Sequence, residues 1–214
     1  MRSHLFLQVF ISLIVTALVA LPASAKLINP STQTIVVFGD SLSAGYGIGQ
    51  NQDWVTLLQA RLTQQKLPYQ VVNASISGET TSGGLARFNE MLVTHKPSIV
   101  ILELGANDGL RGLPVNEMRS NLNKMILQAK AAKAKVLLLG MKIPPNYGQK
   151  YSRYFSASYA ILAKQHKIKL VPFLLDGVAG KPSLIQDDGL HPIATAQLTL
   201  LDNVWPKLEK LLTE

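Results

Sequence analysis

Ser41, His191 and Asp188 are the residues of this chain whose types and spacing could activate a hydroxyl for attack on a carbonyl. A serine hydroxyl is a poor nucleophile until a neighbouring base takes its proton. Two serines stand in Gly39-Asp40-Ser41-Leu42-Ser43. Ser41 comes straight off an apolar run that reads as a strand, so the turn can present its hydroxyl beyond the strand end. Ser43 lies deeper in that turn. An ordinary helix N-cap would explain Ser41 equally well, and the segment is not the G-x-S-x-G elbow of the larger α/β hydrolases.

The base is expected to be a histidine. His95, ahead of Lys96-Pro97, and His166, ahead of Lys167, read as surface residues. His191 differs: it lies in Asp187-Asp188-Gly189-Leu190-His191-Pro192, just before a final helical stretch. Asp188, three residues earlier, can fold back within one turn and accept a hydrogen bond from one ring nitrogen. The other nitrogen is then the proton acceptor, the orientation a Ser-His-Asp triad requires. A capping turn with a structural Asp–His pair would use the same residues. One histidine and two aspartates are too few for a zinc site, and the lack of cysteine removes both a thiolate nucleophile and Cys-based zinc ligation.

Charge that develops on a carbonyl oxygen needs hydrogen-bond donors aimed at it. The N–H of Ser41, the N–H of Gly78 and the side-chain amide of Asn107 are candidates. Glycine allows close backbone approach to a substrate, although Gly and Asn are also common turn residues. The elements that must position these groups alternate along the chain. Apolar, β-branched runs predict strands at 34–38, 69–72, 98–104, 135–139 and 168–171. Between them Trp54, Leu57, Leu58 and Leu62, then Met118, Leu122, Met125, Ile126 and Ala129, fall at helical spacing, as do Tyr151, Phe155, Tyr159 and Leu162. Leu198, Leu201, Trp205, Leu208 and Leu212 predict a last helix with that buried face. This alternation predicts one three-layer α/β/α domain on a five-stranded parallel sheet. The Ser41, Gly78 and Asn107 loops follow its first three strands, so they converge on one crevice beyond the carboxyl ends.

Gly39-Asp40-Ser41-Leu42-Ser43, Gly78, Gly105-Ala106-Asn107-Asp108 and Asp188-Gly189-Leu190-His191-Pro192 resemble, in order and spacing, the four blocks of the SGNH (GDSL) hydrolase superfamily. The resemblance implies a flavodoxin-like sheet, a triad of Ser41, Asp188 and His191, and an oxyanion hole of Ser41, Gly78 and Asn107. It implies cleavage of carboxylic esters and thioesters through an acyl-serine intermediate, in the manner of arylesterases, lysophospholipases and acyl-CoA thioesterases. No cofactor or metal is implied. A carbohydrate-ester deacetylase would use the same triad. A non-catalytic ligand-binding protein is the reading from another class, but Gly45-Tyr46-Gly47-Ile48-Gly49 fails the dinucleotide spacing. Leu110, Leu113 and Pro114, in the segment 109–114 after Asn107, are expected to close over an acyl chain, with Gly109 and Gly112 as hinges. The other reading packs both leucines under the next helix, with Pro114 in its first turn.

The 214 residues suit one domain. Residues 1–25 read as a secretory signal: Arg2, an apolar stretch from Leu5 to Leu21, then Ala23-Ser24-Ala25. The expected mature chain, 26–214, is then exported to a periplasm or secreted, with no stable membrane anchor. The net charge of +8 is concentrated in 124–169, which holds ten Lys or Arg and no acid. Such a stretch can attract anionic lipids, acyl carriers or nucleic acid; it is read as a solvated basic face, since no nucleic-acid-binding signature accompanies it. The expected partner is a small-molecule or lipid ester or thioester substrate, with the chain acting as a monomer.

Overall fold

The computed structural model describes residues 32–213, so the leader expected at 1–25 lies outside the described residues. Five strands form from the apolar runs: β1 (Gln33–Gly39), β2 (Tyr69–Asn73), β3 (Ile99–Glu103), β4 (Lys135–Leu139) and β5 (Lys169–Val171). Ile35 to Phe38 of β1 and Val100 to Leu102 of β3 have no exposure at all. Unbroken apolar runs of this kind mark strands covered on both faces.

All strands pair in parallel, in the order β2-β1-β3-β4-β5. Parallel neighbours need crossover connections. These are supplied by α1 (Ser41–Ala44) with α2 (Trp54–Gln64), α3 (Thr81–His95), α4 (Ala106–Leu110) with α5 (Val115–Ala131), and α6 (Gln149–His166). The chain ends in α7 (Gln197–Thr213). Helices α3, α5 and α6 lie side by side on one face; α2 and α7 pair on the other. This is the three-layer, flavodoxin-like arrangement expected from the sequence.

Helix α7 buries a stripe that shares Leu201 and Leu208 with the predicted one and departs from it at Leu198. Gln197, Leu200, Leu201, Val204, Leu208 and Leu211 face inward, whereas Leu198 is 53% exposed. The leucines, Val204 and Trp205 fall within less than half the circumference at about 3.6 residues per turn, and Leu198 stands at the edge of that arc, so the buried centre lies toward Leu200, Val204 and Leu211. Trp205 and Leu212 flank the buried stripe, with Trp205 lying under the Arg61 guanidinium at 5.3 Å.

Four helices end on a lysine in the left-handed conformation: Lys66 after α2, Lys96 after α3, Lys133 after α5 and Lys167 after α6, with φ from 43° to 64°. Glycine or asparagine usually takes this position, because a side chain there costs about 1–2 kcal/mol. Each precedes the next parallel strand by two or three residues, so all four line the amino-terminal edge of the sheet. The carboxyl edge holds the chemistry. Strand order reverses between β1 and β3, which opens a crevice where their loops diverge.

Candidate active site

Ser41 enters α1 directly after β1. Asp40 caps that helix, its Oδ1 accepting the Leu42 N–H at 3.0 Å. The loop before α7 reaches the same crevice. Within it, Asp188 Oδ1 accepts the N–H groups of Leu190 and His191 at 2.9 and 3.0 Å, a tight Asx turn. Gln186 anchors this turn, its side-chain amide donating to the carbonyls of Tyr46 and Pro192. Asp188 Oδ2 lies 2.6 Å from His191 Nδ1, and His191 Nε2 lies 2.8 Å from Ser41 Oγ. A carboxylate at Nδ1 makes that nitrogen the N–H donor, which leaves Nε2 to accept from the serine. Burial works against the Asp188 charge, but the N–H groups of His191 and Leu190 and the His191 ring outweigh it and hold the carboxyl at about 2. The Tyr46 ring tilts against the imidazole, 4.6 Å between centroids.

Ser43, the other candidate serine, is wholly buried and donates instead to Glu103 Oε2 at 2.8 Å. His166 is also unlike its predicted surface setting. It is 8% exposed at the end of α6 and bonds to Asn123 of α5 at 2.7 Å. Burial, then the charge of Lys130, lowers its pKa. The apolar stripe of α6 carries its last turn inward, so a histidine beside a lysine in sequence ends up between two helices.

Gly78 follows β2, where the chain still runs beside β1 through Ala74 N–H to Val37 O (2.8 Å) and Ile76 N–H to Gly39 O (3.0 Å). Its φ of +79° favours glycine. The N–H groups of Ser41 and Gly78 donate to no acceptor among the described residues. Asn107, in α4 after β3, donates its two side-chain amide hydrogens to Asp40 Oδ2 and the Glu79 carbonyl, each at 3.1 Å. Asp108 clamps the arrangement: it accepts from the Thr81 hydroxyl at 2.6 Å and the Thr81 N–H at 2.8 Å, tying α4 to the start of α3. Ser41, Gly78, Asn107 and His191 all line one cavity of about 670 Å3.

The cavity runs from these polar groups to an apolar wall that includes Leu110, Met141, Ile143, Phe173 and Leu175. Leu113 and Pro114, expected beside Leu110, are not part of its lining. The segment turns away after Leu110, and Leu113 is 38% exposed. Hydrogen bonds from the hydroxyls of Tyr147 to Leu110 O (2.8 Å) and Tyr151 to Leu113 O (2.7 Å) pin it to the 145–166 stretch. Gly109, expected as a hinge, is packed within α4 against Ile143 and Phe155.

A serine, an imidazole and a carboxylate in one hydrogen-bonded line, with two free N–H groups beside the hydroxyl, form a constellation suited to acyl transfer. The model of the GDSL-like lipase/acylhydrolase family matches residues 37–197. The chain belongs to this family. It is 51% identical to the esterase TesA of Pseudomonas aeruginosa over 182 residues, 85% of this chain and 90% of that protein. It is 41% identical to thioesterase 1/protease 1/lysophospholipase L1 of Escherichia coli over 181 residues, 85% and 86% of the two chains. A crystal structure of TesA superposes with a TM-score of 0.82, covering 84% of this chain and 99% of that one, at 51% identity. A structure of the esterase EstA from Pseudoalteromonas sp., inhibited by monoethylphosphonate, gives 0.81 at 41% identity, covering 85% and 100%. This GDSL-like chain is accordingly a carboxylic ester hydrolase.

Sequence reasoning missed two groups at this site. Asp40 and Glu103 are both wholly buried carboxyls beneath the nucleophile turn. The signal was present: Glu103 is the one charged residue in the apolar run Ile99 to Leu104.

Proposed function

We propose that this GDSL-like hydrolase cleaves carboxylic esters and thioesters with a hydrophobic acyl chain through an acyl-enzyme formed on Ser41. The observation that carries this reading is the line Ser41 Oγ–His191 Nε2–Nδ1–Asp188 Oδ2, at 2.8 and 2.6 Å. Ser41 Oγ attacks the acyl carbonyl while its proton passes to Nε2. Asp188 holds the ring and stabilises the imidazolium. The Ser41 and Gly78 N–H groups receive the oxyanion, joined by the Asn107 hydrogen that leaves the Glu79 carbonyl to meet it. As the intermediate collapses, His191 returns the proton to the departing alcohol or thiol. Water, deprotonated by the same nitrogen, then releases the acid and restores Ser41.

The apolar wall from Leu110 to Leu175 supports an acyl chain over a sugar-linked acetyl group as the group held. The relatives' names as esterase, thioesterase and lysophospholipase accord with one acyl site serving several leaving groups. Residues 1–25 fit an export signal, which would place the mature enzyme, 26–214, in the periplasm or outside the cell. Among the described residues no helix is long and apolar enough to cross a membrane.

A fluorescent alkylphosphonate ester tests the mechanism. One label per chain on Ser41 is expected, absent in Ser41→Ala and retained in Ser43→Ala. A label on another serine, or esterase activity in folded Ser41→Ala within about tenfold of the parent, overturns it, since losing a triad member removes several powers of ten.

A further inference from the structure

Asp40 and Glu103 lie outside the triad, yet the geometry around them leads to the oxyanion site. Both are wholly buried, one just ahead of Ser41 and the other at the end of β3. The strands bring them together, because Gly39 and Glu103 are paired in register. Glu103 Oε2 accepts the Asp40 N–H at 3.2 Å and the Ser43 hydroxyl at 2.8 Å, while Oε1 has no hydrogen-bond partner. The approach is so close that a Cβ on Gly39 would fall 2.5 Å from Glu103 Oε2 and 2.9 Å from its backbone oxygen. The Asp40 carboxylate in turn accepts the Leu42 N–H through one oxygen and the Asn107 amide through the other.

We propose that Glu103 and Asp40 act as a buried carboxyl pair sharing one proton, which sets the Asn107 amide in place to receive the oxyanion; Glu103 is thus a positioning residue for the reaction. This rests on the reading of Asn107 as an oxyanion donor. With the proton on Glu103, the single negative charge stays on Asp40, where it has two donors. Asp40 then holds one Asn107 hydrogen and so fixes the amide plane, while the other, on the Glu79 carbonyl in the free enzyme, is the one the oxyanion takes. Removing the shared proton would place two charges in a site closed to water, and their repulsion would drive the Asp40 carboxylate off Asn107.

The remaining groups around the pair agree with that distribution. Burial, then the charge of Asp40, pushes Glu103 well above the carboxylate range. Burial raises Asp40 only to about 6, opposed by the Leu42 N–H, the charge of His191 and the Asn107 amide. Tyr159 of α6 donates to the Leu104 carbonyl and stays neutral, its hydroxyl pushed well up by burial and then by Glu103, Asp108 and Asp40. His191 is therefore the cation facing the pair, and it becomes charged when the oxyanion forms.

The test compares Glu103→Gln, a permanently neutral isostere, with Glu103→Ala, in wild-type and Asn107→Ala backgrounds, by kcat, KM and pH profile. Glu103→Gln is expected to keep kcat within about threefold at neutral pH, the scale of one modest neutral hydrogen bond. The wild type is expected to show an alkaline decline in kcat, and Glu103→Gln to lose it. Glu103→Ala is expected to lower kcat about tenfold or more with KM little changed, and Asn107→Ala should then cost less than in the wild type, as coupled residues do. Identical alkaline limbs in wild type and Glu103→Gln overturn the pair, as does folded Glu103→Ala with wild-type kcat or with losses that simply multiply. Should Glu103→Ala fail to fold, the Gln profile decides alone. If Asn107→Ala itself keeps full kcat, the oxyanion reading falls too, which is distinct from failure of the pair alone.

Discussion

Asp188 holds its charge through two backbone N–H groups and one ring N–H, so an asparagine in its place changes the chemistry with little change in shape. Asp188→Asn is expected to lower kcat by about 10⁴ through loss of the productive tautomer, the scale seen when a triad carboxylate is neutralised. Stability should respond to pH in a definite direction. A carboxyl depressed from 3.8 to about 2 stabilises the fold above its unfolded value and loses that contribution as pH falls through about 2. The gap in Tm between wild type and Asp188→Asn should therefore shrink from pH 4 to pH 2; a gap constant across that window would mean the carboxylate bonds add nothing to the fold. Asn107→Ala should lower kcat by about two to three powers of ten with a small change in KM. That Ser41, His191 and Asp188 meet was legible in the sequence, because an Asp three residues before a His and a Ser at a strand end admit few arrangements. The choice between Ser41 and Ser43 was not settled by type, and the structure separates them: one faces His191, the other Glu103. The carboxyl pair escaped notice because β1 and β3 are distant in sequence, and only strand register brings Asp40 to Glu103.

At the level of elements, strands were read to within a residue or two, since a parallel sheet buried on both faces leaves runs such as Ile35 to Phe38 with no polar break. Helix faces were less legible at the edge of an apolar arc, as at Leu198 in α7. Helix ends were not legible, because nothing in a lysine announces a left-handed backbone. The lysines at 66, 96, 133 and 167 nonetheless define an expected outcome. A positive charge at a helix C-terminus contributes about 0.3–1 kcal/mol, less than the roughly 1–2 kcal/mol cost of the left-handed conformation for a residue with Cβ. Replacing Lys96 or Lys133 with glycine should therefore raise stability, by up to about 1 kcal/mol after the larger chain entropy of glycine in the unfolded state is counted. Thermal melts at matched pH and salt check this. A lower Tm in both variants would mean that the charges do more for these helix ends than the backbone strain takes away.

Across the whole molecule, the parallel sheet separates two ends: left-handed lysines after helix C-termini at the amino edge, and the cavity with the Ser41–His191–Asp188 line at the carboxyl edge. Which residues wall the apolar side of that cavity depends on how loops from β3, β4 and β5 close over one another; Leu110 lies in that lining, while Leu113 and Pro114, expected there too, do not. Met141, Ile143, Phe173 and Leu175, which complete the wall, gave no sign because apolar residues after a strand read simply as core. The placement predicts a difference between two leucines three residues apart. A methylene moved from water to an apolar wall gains about 0.8 kcal/mol, a factor of about four in kcat/KM if the contact persists in the transition state. Wild-type kcat/KM on a series of p-nitrophenyl esters should therefore rise with acyl length until the cavity of about 670 Å3 is filled. Leu110→Ala removes part of the wall, so it should leave the shortest esters nearly untouched and lose progressively more as the chain lengthens. Leu113→Ala, outside the lining with its carbonyl held by Tyr151, should change all lengths by one common factor close to unity. An equal loss at every length for Leu110→Ala would remove it from the acyl wall, and a length-dependent loss for Leu113→Ala would mean that the 109–114 segment folds over the substrate after all.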